Sequence, residues 1–382
     1  MNRVIRTIHP VGQGGFYTEE FYDGKRKHTV VYDCGGSNKK LIGQYLDGFL
    51  TAQDGVKKKI DAVFISHLHA DHVNGLEYLL NNADVKLLVL PQLSEDMKWE
   101  AWMYNWGRPQ SDQGTTNPLI HVLYDTQNGY YNRTRIMQVS SERSEGRIDL
   151  REVNDYYPNS SVVGSGTEFG YGNQWLFIPY NPPTPTSESR SFIEFLKDEL
   201  GEYPSFEDLP KLVKGDINRF RDLYASYFKK NHNAYSMTLF SGVRNPDPHK
   251  FIWNWDDWFF DWVPNVEYRK WRFGRIGLSP NCLYMGDFEV ASGFDGLKGF
   301  YDHDQLCLWK TIRSIQVPHH GSRHNYHKDL YEYSLWGFIS AGEHNRFHHP
   351  HLDTLINLEQ DGCYPVLVTE RESTRRHFSI SW

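Results

Sequence analysis

The stretch that decides the fold is Val63-Phe64-Ile65-Ser66-His67-Leu68-His69-Ala70-Asp71-His72-Val73-Asn74-Gly75, a short apolar run that ends in three histidines and an aspartate. Its first half predicts a buried strand, because residues 62–65 are unbroken and apolar. Side chains alternate faces along a strand, so His67 and His69 should point the same way if the chain stays extended through them.

The second half of the stretch predicts a metal site. Four nitrogen and oxygen donors within six residues suit one borderline metal ion. Asp71 and His72 should lie where the chain turns into a helix that begins near Asn74, in a place to serve a second ion. The alternative is a polar surface loop. In such a loop, placing three imidazoles and a carboxylate together after a buried strand would cost free energy and stabilise nothing.

The His-x-His-x-Asp-His pattern of residues 67–72 resembles the signature of the metallo-β-lactamase-like hydrolases. The start of the chain is similar to the hydrolase domain of bacterial competence DNA-uptake channel proteins, where a Val-Gly-Gln-Gly turn leads to a strand ending in Asp-x-Gly. Residues 11–14 and 33–35 match that pattern, but Gly15 stands where the family usually has aspartate. The resemblance implies an α/β protein, a four-layer αβ/βα sandwich with metal ions at one edge. It also implies that Asp33 orients the metal loop, although a simple Asp-x-Gly turn is an alternative.

Later motifs extend the resemblance toward the end of the chain. A strand ends in Gly286-Asp287, and a carboxylate can bridge two cations with its two oxygens, whereas the alternative role for Asp287 is a helix cap. Residues 318–322 match the family's Pro-His-His-Gly-Ser box, which implies that His320 completes the second metal's ligands and that His319 faces the phosphate or the leaving group.

The segment from Asn345 to Pro350 resembles the family's Asn-x-x-Gly-His-Pro motif. His349 aligns with the family histidine, but His348 replaces the usual glycine, so which of the two faces the site stays open. A third ligand of the first metal also stays open, with His121, His232 and Asn233 as candidates.

These motifs give one set of predicted site residues. The predicted metal ligands are His67, His69, Asp71, His72, Asp287 and His320. The predicted catalytic residues are Asp71, His319 and His349. Together they would hold two divalent metal ions, zinc or manganese.

Composition bounds the class of protein. The chain has 382 residues and a formal net charge of −7. Any binding of nucleic acid would therefore have to occur through local basic clusters. No run approaches the roughly 20 apolar residues of a membrane span, and the first residues lack a signal-peptide core, so we expect a cytoplasmic protein that does not bind membranes. The four cysteines are far apart and form no Cys-x-x-Cys pair, so each should be a small buried residue.

The core pattern runs along residues 1–382, which we interpret as one domain with insertions at 92–173, 187–230 and 246–280. Helical spacing predicts helices over 38–50 and 74–81, and residues 364–370 and 377–381 predict a terminal hairpin. The first insertion contains three tryptophans and many tyrosines, and the third contains five tryptophans. A satellite core is the favoured role of the five tryptophans in 246–280, with a base-stacking platform or a surface for a protein partner as alternatives.

Three functional hypotheses follow. The first is a metal-dependent phosphodiesterase, because two cations sharing Asp287 would activate water near neutral pH and hold a phosphodiester, with a histidine assisting the leaving oxygen. A nuclease is the favoured subtype, because the resemblance is to a family that handles DNA. The second is a hydrolase of a small ester or lactone. The third is a non-catalytic, metal-bound subunit of a larger assembly.

Overall fold

A computed structural model of the chain describes residues 3–24, 26–51, 56–92, 134–153, 160–183, 236–247, 249–255, 279–303 and 305–382, with isolated helical positions at 197–198, 219 and 222. Two β-sheets face each other in this structure, and helices cover the outer face of each sheet.

The elements follow one another along the chain with the following bounds. The strands are β1 (Arg3–Ile8), β2 (Phe16–Asp23), β3 (Arg26–Cys34), β4 (Lys59–Phe64), β5 (Asp84–Pro91), β6 (Arg135–Arg143), β7 (Arg147–Asp149), β8 (Ser160–Ser165), β9 (Glu168–Gly170), β10 (Leu176–Tyr180), β11 (Thr238–Gly242), β12 (Ile252–Trp255), β13 (Cys282–Tyr284), β14 (Ser314–Gln316), β15 (Trp336–Ser340), β16 (Tyr364–Val368) and β17 (Arg376–Ser381). The helices are α1 (Lys39–Leu50), α2 (Ala70–Val73), α3 (Leu76–Asn82), α4 (Val290–Tyr301) and α5 (Leu352–Gln360).

Each sheet combines a parallel part with an antiparallel part. Among the described residues, the first sheet has the order β12-β17-β1-β2-β3-β4-β5-β6-β8 and the second the order β16-β15-β14-β13-β11-β10-β9-β7. Strands β3, β4, β5, β6 and β8 are parallel in the first sheet, and β13 to β16 are parallel in the second. Neighbouring parallel strands end at the same edge of a sheet, so the loops that follow β4, β13, β14 and β15 can meet there.

Three apolar layers hold the sandwich together. Between the sheets, Phe64 of the first packs in one cluster with Phe177 and Tyr284 of the second. Outside the first sheet, apolar side chains of α1 and α3 lie on strand residues, among them Ile42, Leu46, Leu76 and Leu79. Outside the second sheet, α4 and α5 do the same through Phe294, Leu297 and Leu358. This arrangement confirms the predicted four-layer αβ/βα sandwich.

Helix α1 confirms the helix predicted over 38–50, and its first turn is capped by Asn38, whose Oδ1 accepts from Leu41 N at 2.9 Å. The helix predicted over 74–81 is α3, and α2 precedes it and carries Asp71 and His72. The predicted terminal hairpin is wrong. Strand β16 joins the second sheet beside β15, whereas β17 crosses to the first sheet and pairs antiparallel with β1, covering an edge that would otherwise stay open.

Two of the predicted insertions fall partly on described residues. Strands β6 and β8 lie within 92–173 and continue the first sheet, so the described part of that segment extends the core layer. In 246–280, Trp253 stacks on Phe378 with ring centroids 5.1 Å apart, as a packing residue does. Residues 93–133, 154–159, 248 and 256–278 and nearly all of 187–230 lie outside the described residues, so the division into one domain with three insertions stays a prediction.

Cysteine burial matches the prediction at three positions. Cys34, Cys282 and Cys363 are buried and form no disulfide, whereas Cys307 is exposed, so the expectation of burial was wrong there. The reason is local, because Cys307 lies in a surface loop after α4 with a positive φ of 49°. Within the described part of the chain, no helix is long and apolar enough to cross a membrane.

Candidate metal centre

The predicted site residues meet where strands of both sheets end. His67, His69, Asp71 and His72 follow β4, Asp287 follows β13, His320 follows β14, and His349 follows β15 in the loop before α5. His72, His320 and Asp287 are nearly or fully buried. The sandwich therefore brings together residues that lie more than 200 positions apart in the sequence.

The donor atoms form two groups. His67, His69 and Asp287 place one donor atom each within 4.8 Å of one another, and so do Asp71, His72 and His320. Asp287 links the groups, because its Oδ2 lies 3.9 Å from His67 Nε2 and its Oδ1 lies 3.3 Å from His72 Nε2. The same Oδ1 lies 3.5 Å from His320 Nε2. One carboxylate thus presents one oxygen to each group.

Hydrogen bonds orient three of these histidines in the same way. His72 Nδ1 lies 2.8 Å from Asp33 Oδ2, and His320 Nδ1 lies 2.8 Å from the carbonyl oxygen of Ser340, so each Nδ1 donates. His67 Nδ1 lies 2.9 Å from Ser66 Oγ, whose own proton goes to Asp33 Oδ2 at 2.8 Å. His67 Nδ1 is therefore also a donor. In the neutral form of each of these three rings, the lone pair lies on Nε2, which faces Asp287.

His319 is oriented in the opposite way. Asn325 Oδ1 accepts from the backbone N–H of Val290 at 3.3 Å, which directs its Nδ2 toward His319 Nδ1 at 2.9 Å. Because Nδ2 can only donate, His319 Nδ1 is an acceptor and the proton of the neutral ring is on Nε2. That Nε2 lies 4.0 Å from Asp287 Oδ2. His319 therefore presents a proton to the centre, whereas His320 beside it presents a lone pair.

The loop before α5 answers which histidine faces the site. His349 is 9% exposed, and its ring centroid lies 5.4 Å from that of His319 and 6.3 Å from that of His320. His348 is exposed and has a positive φ of 56°. Asn345 Oδ1 accepts from His349 N at 2.9 Å, and its Nδ2 donates to Gly342 O at 2.6 Å, which holds the loop in this form.

Backbone strain concentrates at the centre. Five described non-glycine residues have positive φ, and Asp33, His319, His320 and His348 are four of them. Such conformations cost energy and persist where the surroundings fix them, which is typical of functional sites. Gly286, with φ of 55°, lies so close to Ser66 that an added Cβ would be 2.5 Å from the Ser66 Cβ. A glycine is therefore required directly before Asp287.

Asp33 supports the metal loop without facing the centre. Its Oδ1 accepts from Ser66 N at 2.7 Å, and its Oδ2 accepts from Ser66 Oγ and from His72 Nδ1, each at 2.8 Å. This is the orienting role that the resemblance implies. Gly15 packs against it, because an added Cβ would lie 3.0 Å from Asp33 Oδ2 and 3.2 Å from His72 Nδ1. The missing aspartate at position 15 thus leaves room for the Asp33–His72 pair.

Sequence reasoning assigned no role to four supporting residues. Ser236 Oγ accepts from Asp287 N at 3.1 Å, and Gln316 Oε1 accepts from Met285 N at 2.8 Å, so both hold the loop that carries Asp287. Asn325 and Asn345 hold His319 and His349. Asn345 opens the motif at 345–350, whereas Ser236, Gln316 and Asn325 have no spacing in the sequence that would single them out. The candidate third ligands, His121, His232 and Asn233, lie outside the described residues.

The electrostatics of the centre favour positive charge between the donor groups. Burial acts to raise the pKa of Asp287, but His320 and His72 outweigh it and hold the pKa well below its usual value. Burial acts to lower the pKa of His72, but the carboxylates of Asp287 and Asp33 hold it well above its usual value. Burial lowers the pKa of His319, and burial with the charges of His320 and His319 lowers that of His349 to about 3. His319 and His349 are therefore neutral near neutral pH.

These observations fit divalent metal ions. Within the part of the chain that the structure describes, Nε2 of His67, His72 and His320 and Oδ1 of Asp287 are buried and have no hydrogen-bond partner. Buried polar atoms without partners are costly, and imidazole nitrogens and carboxylate oxygens are ligands for zinc and similar ions. Cations between the two groups would satisfy these atoms and balance the carboxylates of Asp33, Asp71 and Asp287.

Comparisons with known proteins agree with this geometry. Residues 21–189 match the family model of the metallo-beta-lactamase superfamily. The chain is 24% identical over 221 residues to ribonuclease J of Mycoplasma pneumoniae, a match that spans 56% of this chain and 36% of that protein. It is 25% identical over 146 residues to the mitochondrial ribonuclease Z 2 of Schizosaccharomyces pombe, spanning 37% of this chain and 20% of that protein.

The chain therefore covers only about a third or less of the length of these curated relatives. Among solved structures, unliganded yeast PDE1 aligns over 100% of both chains at 9% identity with a TM-score of 0.41. The histidine motif at residues 67–72 lies within the segment that matches the family model. Residues 21–189 are thus the part of the chain that is similar to the metallo-β-lactamase superfamily.

Proposed function

We propose that the protein is a metal-dependent phosphodiesterase, with a nuclease as the favoured subtype. The observation that carries the proposal is the position of Asp287, which directs one oxygen to each of two histidine-containing donor groups. That arrangement suits two cations that share one carboxylate, as in two-metal phosphodiester hydrolysis. The ribonuclease names of the two relatives support the nuclease subtype.

Residue roles in this proposal follow from the donor atoms. His67 and His69 would hold one ion, Asp71, His72 and His320 the other, and Asp287 both. Divalent ions there supply Lewis-acid stabilisation of the phosphoryl charge and lower the pKa of water. Asp71 also lies among the reacting groups, because its Oδ2 is 3.5 Å from His320 Nε2.

His319 and His349 would act on the substrate and not on the metal. His319 carries its proton on Nε2, so it can donate to the oxygen that leaves. His349 is neutral and borders both His319 and His320, so its ring can bind a non-bridging phosphate oxygen. These two rings distinguish a phosphodiesterase from a lactonase, which needs only a polarised carbonyl.

The test combines metal analysis with a substrate screen. The purified protein, after loading with zinc or manganese, should bind about two equivalents of metal. It should cleave a chromogenic phosphodiester, and for the nuclease subtype it should bind and cleave DNA or RNA with an affinity that falls steeply as salt rises. Cleavage of small diesters alone would reject the nuclease. Activity on esters or lactones alone, or no activity with metal bound, would favour one of the other two hypotheses.

The finer predictions are part of this proposal. The choice of zinc or manganese, the kinship with competence DNA-uptake proteins and a cytoplasmic location stay predictions. A protein partner at the aromatic segments also stays a prediction, because 93–133 and 256–278 lie outside the described residues.

A further inference from the structure

An exposed aromatic ring stands at the rim of the candidate metal centre. Phe347 is 47% exposed, and in the described part of the chain only Tyr78, at 41%, is another exposed aromatic side chain. Tyr78 lies on α3, where its hydroxyl donates to Asp47 of α1. Phe347 instead stacks on His349 with ring centroids 5.7 Å apart and an interplanar angle of 22°. The ring therefore offers an apolar face at the edge of the candidate centre, against which a planar group can pack.

The ring is close to the reacting groups. His349, against which it stacks, lies 5.4 Å from His319 and 6.3 Å from His320 between ring centroids. A phosphate bound at His319 and His349 would therefore place its nearest substituents beside Phe347. The substituent of a phosphodiester that carries a flat aromatic surface is a nucleobase, which can stack on an aromatic side chain whatever its identity.

A flat cation already lies over this ring. The guanidinium carbon of Arg346 is 4.7 Å from the Phe347 ring centroid, which shows that the ring face admits a planar group. Arg346 is itself exposed, so a base can take its place on the ring while the guanidinium turns to a phosphate. A second arginine stands nearby, because the backbone N–H of Arg323 donates to His351 Nδ1 at 3.1 Å and the His351 ring centroid lies 5.0 Å from that of His349.

Hydrogen bonds hold the backbone that carries the ring. The Asn345 side chain that holds His349 also accepts from Phe347 N at 3.2 Å through Oδ1. A second hydrogen bond from its Nδ2 reaches the carbonyl oxygen of His349 at 2.6 Å. One amide thus holds the backbone of the histidine that faces the centre and of the aromatic residue beside it, so less of this loop must be ordered when a substrate binds.

We infer that Phe347 is a stacking platform for the base next to the scissile phosphate, and that the substrate is a phosphodiester that carries a nucleobase. This inference rests on the proposed phosphodiesterase function and adds its substrate class. Two sources share the chemistry, a single-stranded nucleic acid and a small nucleotide diester. A double helix is a poor substrate for this site, because its bases are already stacked and paired.

The experiment uses the metal-loaded full chain and four substrates. These are a dinucleoside monophosphate, a single-stranded oligonucleotide, and a counterpart of each in which the bases beside the scissile linkage are replaced by hydrogen. The wild type should prefer the base-bearing substrates by about 5- to 150-fold in kcat/KM, the range expected from one stacked base. Phe347→Ala should remove most of this preference through KM, keep its bound metal, and cleave the abasic substrates as the wild type does.

Two further variants serve as controls. Phe347→Trp keeps an aromatic face and should keep the preference. Tyr78→Ala removes the other exposed aromatic side chain, away from the centre, and should change neither the preference nor the metal content. A preference in the oligonucleotide arm identifies nucleic acid as the source of the base, and a preference confined to the dinucleoside arm identifies a small diester.

The failures of the two proposals can be told apart. If the wild type cleaves base-bearing and abasic diesters equally, or if Phe347→Ala keeps the full preference, the platform is wrong while the phosphodiesterase stands. If the metal-loaded wild type cleaves a chromogenic phosphodiester but none of the four substrates, the platform is wrong and the phosphodiesterase stands. If it cleaves neither the chromogenic diester nor any of the four, the proposed function and the platform are both overturned.

Discussion

Two clusters of buried charge lie between the same two sheets, and they differ in where their polar atoms point. Near the middle of the sandwich, Glu19 accepts from Arg6 Nε at 2.6 Å, from the Tyr284 hydroxyl at 2.8 Å and from Ser241 Oγ at 2.7 Å. At the strand ends, the Nε2 atoms of His67, His72 and His320 converge on Asp287 without such bonds.

The difference separates a structural network from a reactive one. Both oxygens of Glu19 are satisfied by the protein itself, and the rings of Trp175, Tyr284 and Phe378 surround the Arg6 guanidinium. Such a network holds two sheets in register, and among its described residues only Arg6 Nη2 is a buried side-chain atom without a partner. In the metal centre, Asp33, Ser66 and the Ser340 carbonyl form hydrogen bonds with the Nδ1 atoms of the three histidines. The Nε2 atom of each ring is therefore left for a cation.

The largest expected effect comes from removing the Asp287 carboxylate, whose two oxygens join the donor groups. Asp287→Ala should lose both metal binding and phosphodiesterase activity, because each group loses an oxygen ligand. The wild type should bind about two equivalents of metal, and elemental analysis of the variant should find clearly less. A variant that still holds two equivalents would show that Asp287 does not bridge.

Next in size is the loss of the proton-bearing histidine. His319→Ala should keep its metal and lower kcat by about 10²- to 10⁴-fold, the usual contribution of a positioned general acid. Asn325→Asp should also lower kcat with metal retained, because a carboxylate would accept a proton from His319 Nδ1 and leave the lone pair on Nε2. Metal-free protein from His319→Ala would mean that His319 and His320 have exchanged roles.

A smaller effect should follow from weakening the support behind a ligand. Asp33→Asn keeps the size of the side chain but removes the charge that faces His72 Nδ1 and Ser66. We expect metal affinity to fall by about 10- to 100-fold, as for other partners of metal-bound histidines. Titration with a competing chelator measures this change, and an unaltered affinity would reduce Asp33 to a turn residue.

The smallest effect on activity should come from the core network. Arg6→Met leaves Glu19 buried without its cation, so the free energy of unfolding should fall by about 3–5 kcal/mol while the folded protein keeps its metal and turnover. Denaturant unfolding and metal analysis measure both quantities. The double variant Arg6→Met with Glu19→Leu should be more stable than the single one. A loss of metal in either would show that the two clusters are coupled.

The sequence by itself determined the layers and most of the donor set. The buried strand before His67 and the helical spacing of 38–50 predict elements that the structure contains, because periodicity and caps are local properties. The residues of the two donor groups were all predicted from their motifs, and the structure places them together, although their roles as ligands stay a proposal. The exposed Cys307 and the final strand were predicted wrongly, because burial and strand partners depend on the rest of the chain.

Only the tertiary structure decided which atom of each side chain faces the centre. Adjacent histidines at 319 and 320 look alike in sequence, yet Asn325 gives one a proton on Nε2 and the Ser340 carbonyl gives the other a lone pair there. The choice of His349 over His348 depends in the same way on Asn345 and on the φ of residue 348. These partners come from distant or irregular segments, and a hydrogen bond between such segments has no periodic trace in the sequence.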